Sequence, residues 1–338
     1  DLNRRNSYGS TPAMIAALAG QAQVIKVLHR MGADLNKQDD NGYTPIHAAA
    51  QNGHVEVVRV LHHAKADLNR KGSEDQTPAH FAAEQGHIQL IKVLHQAGAK
   101  LNEQDAYGLT PAHYATSEGH VHIIKALQKM HVDLNYNDYT LAHIAANQGQ
   151  VKALWVLHKM GINLHKKDYH GNTPAHYAAL SDQVQAMKVL RKIGADLNQQ
   201  NNTGNTPAHL AALTGRTRTI KALYKAYADL SKQNHDGCTP VHLAALTGQA
   251  QVIKVLYRAQ SDLSQQDYKG YTPAHYAVKE GHVETIAALH KVGAHLNKQD
   301  HEGYTPAHYA AYNGHTEMLV ALHQAGVKLS EKNSAGYT

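Results

Sequence analysis

Histidine offers the most chemistry in this chain: 28 of its 338 residues carry an imidazole, a group able to ligate metal or move protons near neutral pH. Spacing decides between those uses. Nine histidines stand three residues after a threonine, at His47, His80, His113, His143, His176, His209, His242, His275 and His308, and they follow one another by 33 residues except for one step of 30. One histidine per repeat on stacked helices puts neighbours about 10 Å apart. That is too far to share a zinc ion held about 2 Å from each ligand, so no metal site is expected.

Cys238 is the one cysteine. With His235 and His242 close in sequence it has the parts of a thiol nucleophile and a base, but no third group that would orient the base is identifiable. Neither a glycine-rich phosphate loop nor a zinc-type cysteine pair occurs. No catalytic residue, metal or cofactor is therefore expected, and the chain reads as a non-enzyme. One thiol rules out a disulfide framework and suits a reducing compartment, so the expected setting is the cytoplasm.

The formal net charge is +6, and the cations keep the same period. Lys26, Arg59, Lys92, Lys125, Lys188, Lys221 and Lys254 share one slot, while Arg30, Lys129, Lys159, Lys192, Lys225, Arg258 and Lys291 share another. A basic stripe is expected on the outer side, read first as a solvated helix face with cations near C-terminal dipoles. Peripheral contact with an anionic membrane is the alternative. Nucleic acid is not an expected partner, because the charge is moderate and no recognised nucleic-acid-binding fold is present. No run of 18 apolar residues occurs, so no membrane span is expected.

What positions these side chains is a repeat. Its cleanest copy is Gly303-Tyr304-Thr305-Pro306-Ala307-His308-Tyr309-Ala310-Ala311, and its threonine recurs at Thr11, Thr44, Thr77, Thr110, Thr140, Thr173, Thr206, Thr239, Thr272 and Thr305. A threonine followed by proline fits a helix N-cap followed by the first helical position, so a short helix begins at Pro45, Pro78, Pro111 and their equivalents. Gly53, Gly86, Gly119, Gly281 and Gly314 suit its left-handed end. A second helix carries apolar residues at helical spacing, as in Val24, Ile25, Val27 and Leu28, and stops at Gly32. The polar, turn-rich residues 36–42 then form a finger leading to the next repeat.

Two copies break the pattern. Residues 133–141 lack three residues and the finger glycine, and Leu141 replaces proline, so a truncated finger and a local change in stacking are expected there. In the next copy Leu180-Ser181-Asp182-Gln183 has no Gly-His, and its turn should differ. Asp1-Leu2-Asn3 has the form of a repeat tail and Gly336-Tyr337-Thr338 that of a repeat head, so the chain is expected to be a piece of a longer protein.

A 33-residue period with a Thr-Pro-x-His opening resembles the ankyrin repeat. From 39 to 71, the residues Gly42, Thr44-Pro45, His47, Ala48-Ala49, Gly53-His54, Val57-Val58, Leu61 and Ala66-Asp67-Leu68-Asn69 fall on the family pattern, and the resemblance runs from Asp1 to Thr338. It implies an all-α ankyrin-repeat solenoid, a single domain over 1–338 of ten repeats, each a helix-turn-helix plus a β-hairpin-like finger. A monomer is expected. It also implies that the nine histidines hydrogen-bond within and between repeats, which removes His242 as a base. His54, His87, His120, His282 and His315 resemble the family's turn residues. His29, His62, His95, His158, His290 and His323, with Tyr224 and Tyr257, take the slot of a leucine that packs between repeats. That implies half-buried imidazoles whose protonation near about pH 5 to 6 would weaken the stack.

Partners of this family usually bind the concave side, made of finger tips and the exposed end of the first helix. The resemblance thus implies a non-catalytic protein–protein interaction module. The positions that vary from copy to copy agree with that side, and they give the candidate partner-binding residues Tyr43, Gln51, Asn52, Glu84, Gln85, Tyr107, Leu109, Tyr139, Tyr169, His170, Asn172, Tyr268, Tyr271, Tyr304 and Tyr312. Tyrosine suits binding sites because its ring is apolar and its tip polar. Tyr114, Tyr177, Tyr276 and Tyr309 take an inner-helix leucine slot and are expected in the core. Trp155 replaces a lysine of the stripe. The alternative function is a substrate-selecting or membrane-docking region of a larger enzyme or of a secreted bacterial effector acting in a host cytoplasm. The Lys, Asn, Gln and Tyr-rich lettering is similar to ankyrin arrays of intracellular bacteria.

Overall fold

The computed structural model describes residues 1–135 and 138–338. They divide into two compact units, Asp1–Asn163 and Leu164–Thr338, each described by itself. In the first unit the helices alternate between seven and nine residues: α1 (Pro12–Leu18), α2 (Ala22–Arg30), α3 (Pro45–Gln51), α4 (Val55–His63), α5 (Pro78–Glu84), α6 (Ile88–Gln96), α7 (Pro111–Ser117), α8 (Val121–Lys129), α9 (Leu141–Asn147) and α10 (Val151–Lys159). The second unit repeats the order: α11 (Pro174–Leu180), α12 (Val184–Lys192), α13 (Pro207–Leu213), α14 (Thr217–Lys225), α15 (Pro240–Leu246), α16 (Ala250–Arg258), α17 (Pro273–Lys279), α18 (Val283–Lys291), α19 (Pro306–Tyr312) and α20 (Thr316–Gln324). Among the described residues there is no β-strand.

The expected helix starts are found, and the histidine explains their uniformity. In α3 the N-cap is Thr44 and the first residue Pro45. His47 sits at the third helical position, where its Nδ1 accepts the Thr44 backbone N–H at 3.1 Å. This is a capping box with imidazole in place of the usual carboxylate or amide. Because Nδ1 accepts, the ring keeps its proton on Nε2, which donates to Gln76 O of the next repeat at 3.2 Å. The second unit repeats both bonds: His209 Nδ1 lies 3.1 Å from Thr206 N, and its Nε2 lies 2.9 Å from Cys238 O. One ring thus caps its own helix and ties it to the next.

The seven-residue helices are alanine-rich for a steric reason. Ala208, Ala211 and Ala212 of α13 are buried, and the absence of longer side chains lets α11, α13 and α15 lie close together. The nine-residue helices from α4 to α18 bury their third, fourth and seventh residues, as α4 does with Val57, Val58 and Leu61, whereas α2 leaves Val24 exposed and α20 leaves Leu319 half-buried. The eighth residue is turned about 100° from the seventh and faces water. His29, His62, His95, His158, His290 and His323 all occupy that eighth place and all are exposed, as are Tyr224 and Tyr257. The half-buried column expected from the leucine slot is therefore absent.

The Gly-His turns add a second tie between repeats. His54 Nε2 reaches Leu18 O at 2.9 Å and His120 Nε2 reaches Glu84 O at 2.9 Å. Gly53 takes φ +71, and a Cβ there would come within 2.8 Å of the His87 ring. In the copy without Gly-His, Asp182 adopts the left-handed conformation instead, at φ 54. Its carboxylate accepts Arg218 Nε at 2.9 Å and Thr219 Oγ1 at 2.8 Å from α14, so this turn is tied differently, as expected. Burial raises the Asp182 pKa, but the bonds from Thr219 and Arg218 outweigh it and the net direction is down.

The truncated finger expected over 133–141 includes Tyr136 and Asn137, which lie outside the described residues. On either side of them, His113 Nε2 bonds Tyr139 O at 3.3 Å and Gln150 Nε2 bonds Ser117 O at 2.6 Å, so α7 and α9 carry the same two kinds of tie as other neighbours.

Candidate partner-binding face

Except before Thr77, where Gly72 takes the place, the fingers carry an aspartate or asparagine five residues before the threonine. Asp267 Oδ1 accepts the amides of Lys269 and Tyr271, both at 2.8 Å, and Gly270 N closes the turn on Asp267 O at 3.0 Å. The same bonds close the finger at Asp39, whose Oδ1 takes the Asn41 and Tyr43 amides at 2.9 Å. Fingers then join their neighbours through backbone, as in Tyr268 N to Asp236 O at 3.2 Å. The polar turn residues of the sequence thus hold each tip in a fixed shape without a strand ladder.

The carboxylate's second oxygen points at the first helix. Tyr114 Oη donates to Asp105 Oδ2 at 2.7 Å, Tyr177 to Asp168 at 2.6 Å, Tyr276 to Asp267 at 2.7 Å and Tyr309 to Asp300 at 2.7 Å. These tyrosines were expected in the core; they are instead half-buried, because the hydroxyl reaches out to the finger carboxylate. Burial first, then the bonds to these carboxylates and their neighbours, hold the Tyr114, Tyr276 and Tyr309 hydroxyls well above the ordinary phenol pKa. The aspartate partners were not singled out from sequence. A signal existed: tyrosine stands nine residues after the finger position wherever that position is Asp105, Asp168, Asp267 or Asp300, whereas Asn201 and Asn234 are followed by Leu210 and Leu243. Those asparagines turn their Nδ2 to Asn172 Oδ1 and Asn205 Oδ1 of the preceding finger, both at 2.9 Å.

The candidate tyrosines fall into two groups. Tyr107, Tyr169 and Tyr268 stand on finger tips with 66%, 84% and 63% of their surface exposed, and Tyr312 projects from the end of α19 at 89%. His170 is exposed beside Tyr169, with ring centroids 5.4 Å apart. Tyr107 Oη donates to Glu74 Oε1 at 3.2 Å. Tyr43, Tyr139, Tyr271 and Tyr304, immediately before the threonine, are half-buried between finger and helix. Tyr271 stacks on His275 at 5.6 Å, meets Tyr309 edge-on at 5.7 Å, and carries Lys279 Nζ 4.5 Å over its ring. Leu109 and Asn172 share that half-buried position. At the ends of the first helices Gln51, Asn52 and Gln85 are exposed and Glu84 half-buried. Within each unit the seven-residue helices pack on one another and the nine-residue helices on one another, and the capping-box histidines bond finger carbonyls.

Chemistry of other kinds finds little support in these positions. Cys238 is buried, 3.2 Å from Tyr276 Oη and near Asp267, and burial is the main cause of a thiol pKa pushed up to about 11. A thiol so held is not poised to attack. Among the described residues no three His, Cys, Asp or Glu side chains converge on one metal position. The stripe cations on the second helices are exposed, except Lys254, which is partly so. Among the described residues no helix is long and apolar enough to cross a membrane.

This arrangement of capped alanine-rich helices and Asx-closed fingers has counterparts. A family profile described as ankyrin repeats (3 copies) matches residues 1–72, 129–201 and 193–267, more than half of the chain. The chain belongs to the ankyrin repeat family. A second profile, ankyrin repeats (many copies), matches residues 53–95, 79–128 and 274–323 of this ankyrin array. No curated protein matches it. Among solved structures it is similar to the crystal structure of the human ASB11 ankyrin repeat domain, with 25% identity and a TM-score of 0.58 over 65% of this chain and 99% of that one. Ankyrin repeats are in general protein–protein interaction modules, and the ankyrin fold is typically a non-catalytic scaffold.

Proposed function

We propose that this array holds a protein partner against its fingers and first helices and catalyses nothing itself. The observation that carries the reading is the set of tip tyrosines, Tyr107, Tyr169 and Tyr268, exposed on fingers whose backbone is already fixed by the Asx bonds. A preorganised finger loses little conformational entropy on binding, so contacts made by such rings are retained as affinity. The half-buried Tyr43, Tyr139, Tyr271 and Tyr304 are further candidates on the same reading. A cytoplasmic setting fits the single, buried thiol.

The test is photo-crosslinking capture with the intact array, comparing the triple variant Tyr107→Ala, Tyr169→Ala, Tyr268→Ala with one that replaces Lys92, Lys125, Lys188 and Lys221 by alanine. Capture lost only in the tyrosine variant supports the proposal. Loss only in the lysine variant would instead favour a second reading, docking of the exposed basic stripe on an anionic surface, which should also weaken steeply with salt.

A further inference from the structure

One repeat breaks the pairing of aspartate with tyrosine. Asp39 holds its finger as the other aspartates do, but nine residues later stands Ala48 where their repeats have tyrosine. No side chain among the described residues bonds Asp39 Oδ2; Oδ1 alone is used, by two backbone amides. In the space a tyrosine ring would fill lies a cleft of 260 Å³ in the first unit, lined by Asp39, Ala48, Ser10, Leu18, Tyr43 and Phe81 among others. Its size suits a single side chain better than a drug-sized ligand, whose pockets begin at about 300 Å³. The walls are largely apolar, with Thr44, His47 and Gln51 also in the lining: Ile15 and Leu18 line it while 48% and 50% exposed, and Tyr43 packs edge-on against Phe81 at 5.3 Å. Ser10 takes the place that Cys238 holds beside Tyr276 Oη in the second unit, so it stands where a phenol's second neighbour stands.

We infer that this cleft receives one tyrosine side chain of a protein partner, its ring filling the volume that Ala48 leaves and its hydroxyl donating to Asp39 Oδ2. The inference rests on the reading that this face binds a protein, and it names the chemistry of one contact. The template is internal, since four other repeats make that bond with their own tyrosine. An arginine fork pairs best with both carboxylate oxygens, and Oδ1 is already committed. A lysine brings three donors to a base that offers Asp39 Oδ2 and Ser10 Oγ.

The experiment is an NMR titration of the isotope-labelled protein with N-acetyl-tyrosinamide. Shifts confined to residues around Ser10, Leu18, Ala48 and Phe81 are expected, with N-acetyl-phenylalaninamide weaker by about tenfold for want of a hydrogen bond to a charged acceptor. Ala48→Tyr should fill the cleft, abolish the titration and raise the melting temperature. Asp39→Asn should bring the tyrosine probe down to the phenylalanine level with the fold intact, because Asn201 and Asn234 hold the same finger position in this chain. Equal binding of the two probes, tighter binding of N-acetyl-lysinamide, or an unchanged titration in Ala48→Tyr overturns the inference. A partner captured through the tip tyrosines while the titration shows nothing would sink the cleft and leave the proposed function standing. A working titration beside a partner that footprints on the second helices would do the reverse.

Discussion

Lowering the pH from 7.5 to 5 should destabilise both units through the capping-box histidines. His47, His113, His209 and His275 have their pKa lowered from 6.5 to about 4, chiefly by burial, which the carbonyl bond at Nε2 only partly opposes. Nearby carboxylates, such as Asp39 beside His47, oppose it further. A group whose folded pKa is depressed binds its proton more readily in the unfolded chain. The stability it contributes is therefore complete above about pH 6.5 and is lost as the pH falls toward 4. At pH 5 each of these histidines costs about 2 kcal/mol relative to pH 7.5, and since two belong to each unit, each unit loses about 4 kcal/mol. His80 and His242 are lowered too and act in the same direction. Beside burial, a proton on Nδ1 would displace the bond that this nitrogen now accepts from the threonine N–H. Urea denaturation followed by far-UV circular dichroism at pH 7.5, 6.5, 5.5 and 5 reads the effect, and hydrogen exchange assigns it to repeats. His209→Gln should lower stability at pH 7.5 and remove about 2 kcal/mol of the pH dependence. A midpoint that does not move between pH 7.5 and 5, or a pH dependence unchanged in His209→Gln, would refute the reasoning.

Three smaller perturbations test other bonds. Thr285 Oγ1 is buried without a hydrogen-bond partner at a place where other repeats carry Val57, Leu90 or Val252, so Thr285→Val should stabilise by about 1 kcal/mol in chemical denaturation. Lys65 adopts φ 62 where equivalent Gly32 and Gly98 have open space around them, so Lys65→Gly should raise stability by about 0.5 to 1 kcal/mol, whereas the same change in a helix interior would lower it. Tyr276→Phe should cost about 2 kcal/mol by leaving Asp267 Oδ2 with only the weak Cys238 thiol donor at 3.9 Å. In the unchanged protein the absorbance near 295 nm should show Tyr114, Tyr276 and Tyr309 still protonated after the exposed tyrosines have ionised; ionisation of all tyrosines together in the folded state would contradict it.

The fold was legible because the capping-box tie between repeats recurs with its histidine, although the turn tie is made by other residues at Gln150 and Asp182. One histidine both caps its helix and bonds the next repeat's backbone, so His47 and its equivalents return at a fixed period; Met14 in α1 keeps the cap through its sulfur, which has no proton to donate onward. Thr44-Pro45 marks a helix start for the same reason. The Leu-His column was misjudged because the family slot was taken as a guide to burial, whereas the nine-residue helix has already turned past its buried seam at the eighth residue. A family pattern names what commonly occupies a position; helix geometry decides where that position points.

The candidate face was legible only in part. Variation from copy to copy found the tip tyrosines, since packing does not dictate them. It could not separate them from Tyr43 or Tyr271, because a half-buried ring and an exposed one vary alike when nothing fixed depends on either. The aspartate–tyrosine bond was missed for a related reason: it is a choice between two solutions, Asp with Tyr or Asn with an aliphatic residue, and a search for what is constant passes over both. Each solution satisfies the finger's second polar atom, through the helix in one case and through the preceding finger in the other. Asp39 with Ala48 satisfies it in neither way. Where four fingers give that oxygen to their own tyrosine, the one that leaves it open to a cleft is where an outside group has most to gain.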